Sequence, residues 1–225
     1  MTFQIETWLE LLTEKMKSVF ADRILFLGLQ GSYRRGEATQ NSDIDIVLVL
    51  NALGFFDLCK YKALLAEMPF SEKACGFICG KDELWNWPKY DLFQLVHDTR
   101  ALIGKTANVF PPLTSADAQE AVRVGAANLY HEVCHSYLYG KTEAANLAGA
   151  YKTAFFVLRA ISFLRTGSMP LSKQELLPLL EEKEREILQI CMNWEAFAQQ
   201  RKEHPEFFFE LLLDWCGKIL AEHNR

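Results

Sequence analysis

The 225-residue sequence predicts an α+β fold: a small mixed-sheet domain over residues 1–110, then an all-α helical bundle domain over residues 111–225. Three observations carry that expectation. Two apolar runs of strand character, residues 24–29 and 43–50, flank a polar stretch rich in turn formers. The segment Pro111-Pro112-Leu113-Thr114-Ser115 interrupts every periodic pattern. Beyond it, the apolar residues recur only at helical spacing.

Residues 2–20 read as an amphipathic helix with Trp8, Leu12, Met16 and Val19 on one stripe. The strand at 24–29 ends in a Gly-Ser turn, and the strand at 43–50 follows. Residues 51–68 predict a helix that buries Phe55, Leu58, Tyr61, Leu64 and Leu65 and stops at Pro69. A third strand at 73–79 is closed by Gly80. Trp85-Asn86-Trp87-Pro88 reads as a turn, 92–96 fits either a strand or a short helix, and 100–104 reads as the last strand. After the proline break come helices at 116–139, ended by Gly140, and 144–166, ended by Gly167 where a left-handed cap belongs. Ser172-Lys173-Gln174-Glu175 is a capping box that opens a third, carrying Leu176, Leu179, Leu180, Ile187 and Leu188. Pro205 suits the first turn of a fourth, running to about Ala221.

Half the residues are hydrophobic and 24% charged, as in globular proteins, and the net charge is -5. That balance argues against an electrostatically driven partner such as a long nucleic acid, while leaving room for a small nucleotide. No apolar run approaches the ~20 residues of a membrane span, and no signal-peptide pattern opens the chain. The six cysteines (59, 75, 79, 134, 191 and 216) include no Cys-x-x-Cys pair. A reduced, cytoplasmic protein that makes no membrane contact is expected.

The chemistry concentrates between Gly31 and Asp45. In a strand, alternate side chains share a face, so Asp43, Asp45, Val47 and Val49 point one way and Ile44, Ile46, Leu48 and Leu50 the other. The first set presents two carboxylates beside Gly31-Ser32 at the strand's end. Phosphoryl or nucleotidyl transfer suits this arrangement. Mg²⁺ takes one or two carboxylates plus substrate phosphates, and two ions ~3.5–4 Å apart can hold the attacking and leaving oxygens of an in-line displacement. Glycine lets the backbone approach a triphosphate, and Ser32 adds a hydroxyl near a helix start.

Gly-Ser, ten residues, then Asp-Ile-Asp and an apolar strand resembles the DNA polymerase β-type nucleotidyltransferase superfamily, in particular its bacterial minimal and aminoglycoside nucleotidyltransferases. The resemblance implies a Mg²⁺-dependent enzyme, with two ions held by Asp43 and Asp45 and an NTP as co-substrate. Gly31, Ser32 and Ser42 would seat the triphosphate, assisted by Arg34 or Arg35. The superfamily usually adds a third carboxylate on a neighbouring strand, as metal ligand or general base. Here 73–79 carries no acid in its interior; Glu72, Asp91 and Asp98 lie nearby, and Asp91 is the first choice. The base could also come from the helical half or from a second subunit, so a homodimer is among the expected partners. The acceptor would be a small molecule, such as an aminocyclitol, or a protein side chain. A catalytically weak nucleotide-binding or antitoxin-like module is the alternative.

His131-Glu132-Val133-Cys134-His135 has the letters of a zinc-hydrolase motif, with both histidines on one helix face. No obvious third ligand follows, so zinc hydrolysis ranks below both nucleotide readings, and the histidines are expected first as hydrogen-bonded packing residues or with one of them lining a cleft. Lys152 and Arg159 fall on an apolar helix, either aimed at a cleft or reaching out to solvent.

Overall fold

The computed structural model describes residues 4–140 and 143–222, with 143–146 described by their helical backbone. The chain divides into two compact units between Leu113 and Thr114.

The first unit is built on a four-stranded sheet of order β3-β2-β1-β4. Its strands are β1 (Ile24–Gln30), β2 (Ile44–Leu50), β3 (Ala74–Gly80) and β4 (Arg100–Ile103). β1 runs antiparallel to β2 and β4, while β2 and β3 are parallel. A parallel pair needs a crossover, which α3 (Phe55–Ala66) supplies. The near-continuous apolarity of β1 and β2 follows from burial on both faces. On one face Leu27, Leu29, Ile44, Ile46 and Leu48 pack with Trp8, Leu12, Met16 and Phe20 of α1 (Ile5–Phe20). On the other, Phe26, Val47 and Val49 pack with Leu84 of α4 (Lys81–Asn86), Leu92 of α5 (Lys89–His97) and Val109 of α6 (Thr106–Val109). Each such core side chain gains ~1.5–3 kcal/mol from burial.

Three details depart from the sequence expectation. The α1 stripe ends on Phe20 rather than Val19, which is 38% exposed, because the buried positions advance by four. In α3, Phe55 is 81% exposed and Asp57 turns inward instead. Asp57 accepts from Arg23 Nη1 at 2.7 Å and Nη2 at 2.9 Å, and from the Gly54 N–H at 3.0 Å. The ion pair and cap decide which face of α3 is covered, and Leu58 is left at the margin. Residues 81–97 form two helices, with Pro88 as the N-cap of the second.

The second unit comprises α7 (Ser115–Tyr139), α8 (Glu143–Thr166), α9 (Lys173–Leu176), α10 (Glu182–Met192), α11 (Ala198–Glu203) and α12 (Pro205–Glu222). Gly167 has φ +71 and ends α8 in the left-handed conformation. The Ser172 hydroxyl accepts from the Glu175 N–H at 3.1 Å, but the helix it opens is short. A 3-10 turn at Leu177–Leu179 contains Pro178, whose ring cannot continue an α-helix, and α10 starts afresh after Glu181. One stretch, Leu147–Thr166, is long and apolar enough to cross a membrane by length and composition, contrary to the sequence reading; 61% of its qualifying window is buried. Tyr151, Phe155 and Leu158 of this helix are core residues. Arg159 neither lines a cleft nor reaches solvent: it is fully buried and its Nε donates to the Pro170 carbonyl at 2.9 Å. Lys152 is exposed.

Candidate active site

β1 and β2 bring the two halves of the glycine–aspartate stretch together, since Gln30 is the register partner of Asp45. Directly after Gln30 the chain enters the short helix α2 (Gly31–Arg35), closed by Gly36 with φ +70. Gly31 is buried and has φ +76, a conformation L side chains avoid. A Cβ there would lie 2.8 Å from Asp45 Cγ and closer still to Oδ2. The Asp45 carboxylate therefore occupies the space glycine leaves. Asp45 is half-buried, and Asp43, one residue before β2, is exposed.

A second acid meets the same glycine. Asp98, 1% exposed, follows α5 and accepts from the Gly31 N–H at 3.2 Å and from Arg35 Nη1 at 2.5 Å. Arg35 also donates to Glu37 at 3.2 Å, so its guanidinium is held inside the turn. Arg34 is half-buried, and its Nε is buried with no hydrogen-bond partner. The Ser42 hydroxyl accepts from the Thr39 N–H at 2.9 Å and so shapes the loop leading to Asp43. Lys73 Nζ donates to the Gln40 carbonyl of that loop. The sequence reading did not single out Lys73, which precedes β3 as Asp43 precedes β2, with Ile44 facing Ala74 in the parallel register.

Asp91 is elsewhere. It is exposed in the first turn of α5 and accepts from Trp87 Nε1 at 2.6 Å. Trp87 in turn meets Phe77 edge-on at 5.1 Å. Asp91 and Asp98 stand seven residues apart along the chain, about 10 Å at the helical rise. On β3, the register partner of Asp45 is Cys75, which is exposed. Two residues behind Phe77, burial pushes the Cys79 thiol up to about 12, with Glu83 adding to the shift.

Among the described residues no group of three or more His, Cys, Asp or Glu is arranged to hold a metal ion. Asp43 and Asp45 nevertheless suit Mg²⁺, a hard cation that needs only one or two carboxylates when phosphate oxygens and waters complete its shell. Cys75 is a soft donor and a poor third ligand for it. His131 and His135 are exposed on α7, their rings 6.1 Å apart, with Tyr139 5.2 Å from His135.

No curated protein matches the chain. Among solved structures it is similar to spectinomycin adenyltransferase AAD(9) from Enterococcus faecialis, determined with ATP and spectinomycin. The identity is 12% and the TM-score 0.60, over 96% of this chain and 99% of that one. At such identity the likeness shows a shared fold. Residues 9–107 match the model of the nucleotidyltransferase domain family. The matched stretch holds Gly31, Asp43 and Asp45, so the part of the chain that carries the candidate site is similar to a nucleotidyltransferase domain.

Proposed function

We propose that the chain transfers a nucleoside monophosphate from an NTP to a hydroxyl of a small-molecule acceptor and releases pyrophosphate, and that Asp43 and Asp45 would hold the Mg²⁺ this chemistry uses. The observation that carries this reading is the contact of Asp45 with Gly31. It fixes a carboxylate at the mouth of a turn whose backbone a triphosphate can approach. Mg²⁺ held there would neutralise charge on the phosphates and favour departure of pyrophosphate.

The protein's own groups would bind and orient. Ser32 and the turn around it seat the phosphates. Arg34, whose Nε has no partner within the protein, supplies a planar fork of donors suited to phosphate oxygens. Arg35 keeps the turn in shape, since Asp98 and Glu37 occupy its guanidinium. Ser42 orders the loop that presents Asp43. The acceptor oxygen attacks the α-phosphorus, the bond from that phosphorus to the β-bridging oxygen breaks, and the acceptor's proton passes to a base or to water.

The net charge of -5 favours a cationic or neutral small acceptor, such as an aminocyclitol, over a nucleic acid. The similar structure holding spectinomycin points the same way. A protein hydroxyl is the next acceptor to test. Cys75, standing where a third carboxylate would serve, favours a second reading: a nucleotide-binding module that turns over slowly.

Titration calorimetry with Mg²⁺ and ATP, on the wild type and on the Asp43→Ala/Asp45→Ala double variant, tests the binding. Metal-dependent binding that survives in the double variant would refute the assigned roles. Pyrophosphate release with a panel of aminocyclitols then separates a competent enzyme from a slow module.

A further inference from the structure

We infer that Asp98 is a positioning residue for nucleotide binding, acting through Gly31 and Arg35 rather than touching the substrate. The inference rests on the nucleotidyl-transfer reading above.

Gly31 is clamped from two directions. The Asp45 carboxylate fills the space beside its Cα, and the Asp98 carboxylate takes its N–H from a position 67 residues further along the chain. Movement at Asp98 would therefore be felt at Asp45 through a single buried residue. Gly31 sits where β1 gives way to α2, and its positive φ sets the direction in which Ser32 and Arg34 leave the sheet. Asp98 holds that direction.

The charge on Asp98 is needed for the same task. Its side chain is 2% exposed and that of Arg35 8%, so neither group is bathed in water. Burying such a pair stabilises a fold no more than an apolar pair of similar volume, and often less, whereas removing one partner leaves the other stranded. Here the pair joins the α5–β4 junction to the glycine turn, and Arg35 extends it to Glu37, whose own N–H donates to the Ser32 carbonyl at 2.9 Å. Gly31, Ser32, Arg35 and Glu37 are thereby tied into one block, and Asp98 is its anchor outside the turn. Two donors converge on Oδ2 of this buried carboxylate, which leaves it poorly placed to serve as a general base.

The test compares Asp98→Ala with Asp98→Asn in the full chain, by circular dichroism, by calorimetric titration of ATP with Mg²⁺, and by exchange of the Gly31 amide in nitrogen-15 spectra. Asparagine keeps an acceptor for the Gly31 N–H but gives up the charge that holds Arg35; alanine gives up both. In Asp98→Ala, ATP affinity is expected to fall about tenfold or more, the size of one lost buried hydrogen bond to a charged group, with the Gly31 amide deprotected. In Asp98→Asn the fall is expected to be severalfold, with that amide still protected. A folded Asp98→Ala protein that binds ATP like the wild type would show that Asp98 serves stability alone. Should Asp98→Ala fail to fold, wild-type affinity in Asp98→Asn overturns the inference, and weakened affinity supports it. If the wild type itself binds no ATP, the nucleotidyl-transfer reading fails first, and this inference falls with it.

Discussion

Replacing Gly31 by alanine tests the contact on which the proposed site depends, and Gly36→Ala provides a matched control. Both glycines have left-handed φ, +76 and +70, so alanine suffers the same backbone cost at each, ~1–2 kcal/mol. They differ in what the new methyl meets. At Gly36 nothing lies within 4 Å, whereas at Gly31 the methyl overlaps the Asp45 carboxylate. Relieving that overlap moves Asp45 or the turn, at a further ~1–3 kcal/mol. For a unit of about 100 residues, each kcal/mol lowers Tm by ~4–8 °C. Gly36→Ala should therefore melt roughly 4–16 °C below the wild type, and Gly31→Ala lower again. The decisive measurement is ATP binding with Mg²⁺ by calorimetry at a temperature where both variants are folded. Gly36→Ala should bind like the wild type, while Gly31→Ala should lose at least about tenfold, the equivalent of ~1.4 kcal/mol. Equal affinities in the two variants would mean that the position of Asp45 against Gly31 is irrelevant to the nucleotide.

Cys75→Asp would place a third carboxylate on the strand position beside Asp45, with neighbouring strands ~4.8 Å apart; the expected outcome is tighter Mg²⁺ binding and faster pyrophosphate release, and no change in either would count against this location for a missing acid. Asp91→Asn separates a base from an anchor: the hydrogen bond to Trp87 Nε1 predicts a slightly lower Tm with ATP affinity and turnover kept, while a hundredfold loss of turnover at unchanged affinity would make Asp91 the base. Arg23, with the Gly54 N–H, holds the Asp57 carboxyl well below the usual carboxylate range. A depressed folded-state pKa stabilises above the unfolded value near ~4 and loses its effect as pH falls below it. The Tm gap between the wild type and Asp57→Asn should accordingly be present at pH 7 and narrow below pH ~4; a gap that widened in acid would contradict the assignment.

Much of the fold was legible because its signals are local. The apolar runs of β1 and β2 and the glycine after α8 are written within a few residues of the features they specify. The errors lie where tertiary contacts override local pattern. Periodicity puts Phe55 and Leu58 on the buried side of α3, but the Arg23–Asp57 pair reaches across from the start of β1 and draws the polar residue inward. Arg159 reads as a cation aimed at a cleft or reaching out to solvent, yet the carbonyl of Pro170 and the Phe155 ring, 5.5 Å from its guanidinium carbon, receive it inside the helical unit.

The site divides in the same way. Gly31, Asp43 and Asp45 could be proposed from spacing alone, because a turn between two paired strands brings the end of the first beside the start of the second whatever else the chain does. Which further acid reaches the glycine turn could not. Asp91 and Asp98 flank the same helix, and the preference for Asp91 is made without knowing that β4 pairs with β1, Leu29 facing Arg100. That pairing carries the end of α5 to the glycine turn and sends Asp98 to the Gly31 N–H, leaving Asp91 with Trp87. The same sheet order puts Cys75, not a carboxylate, beside Asp45. On the proposed reading, a chain with the glycine turn and the two aspartates, but a thiol at the next strand, would bind MgATP before it had an evident means of deprotonating an acceptor. Binding and turnover should therefore separate in this protein, and the rate gained in Cys75→Asp measures how far apart they stand.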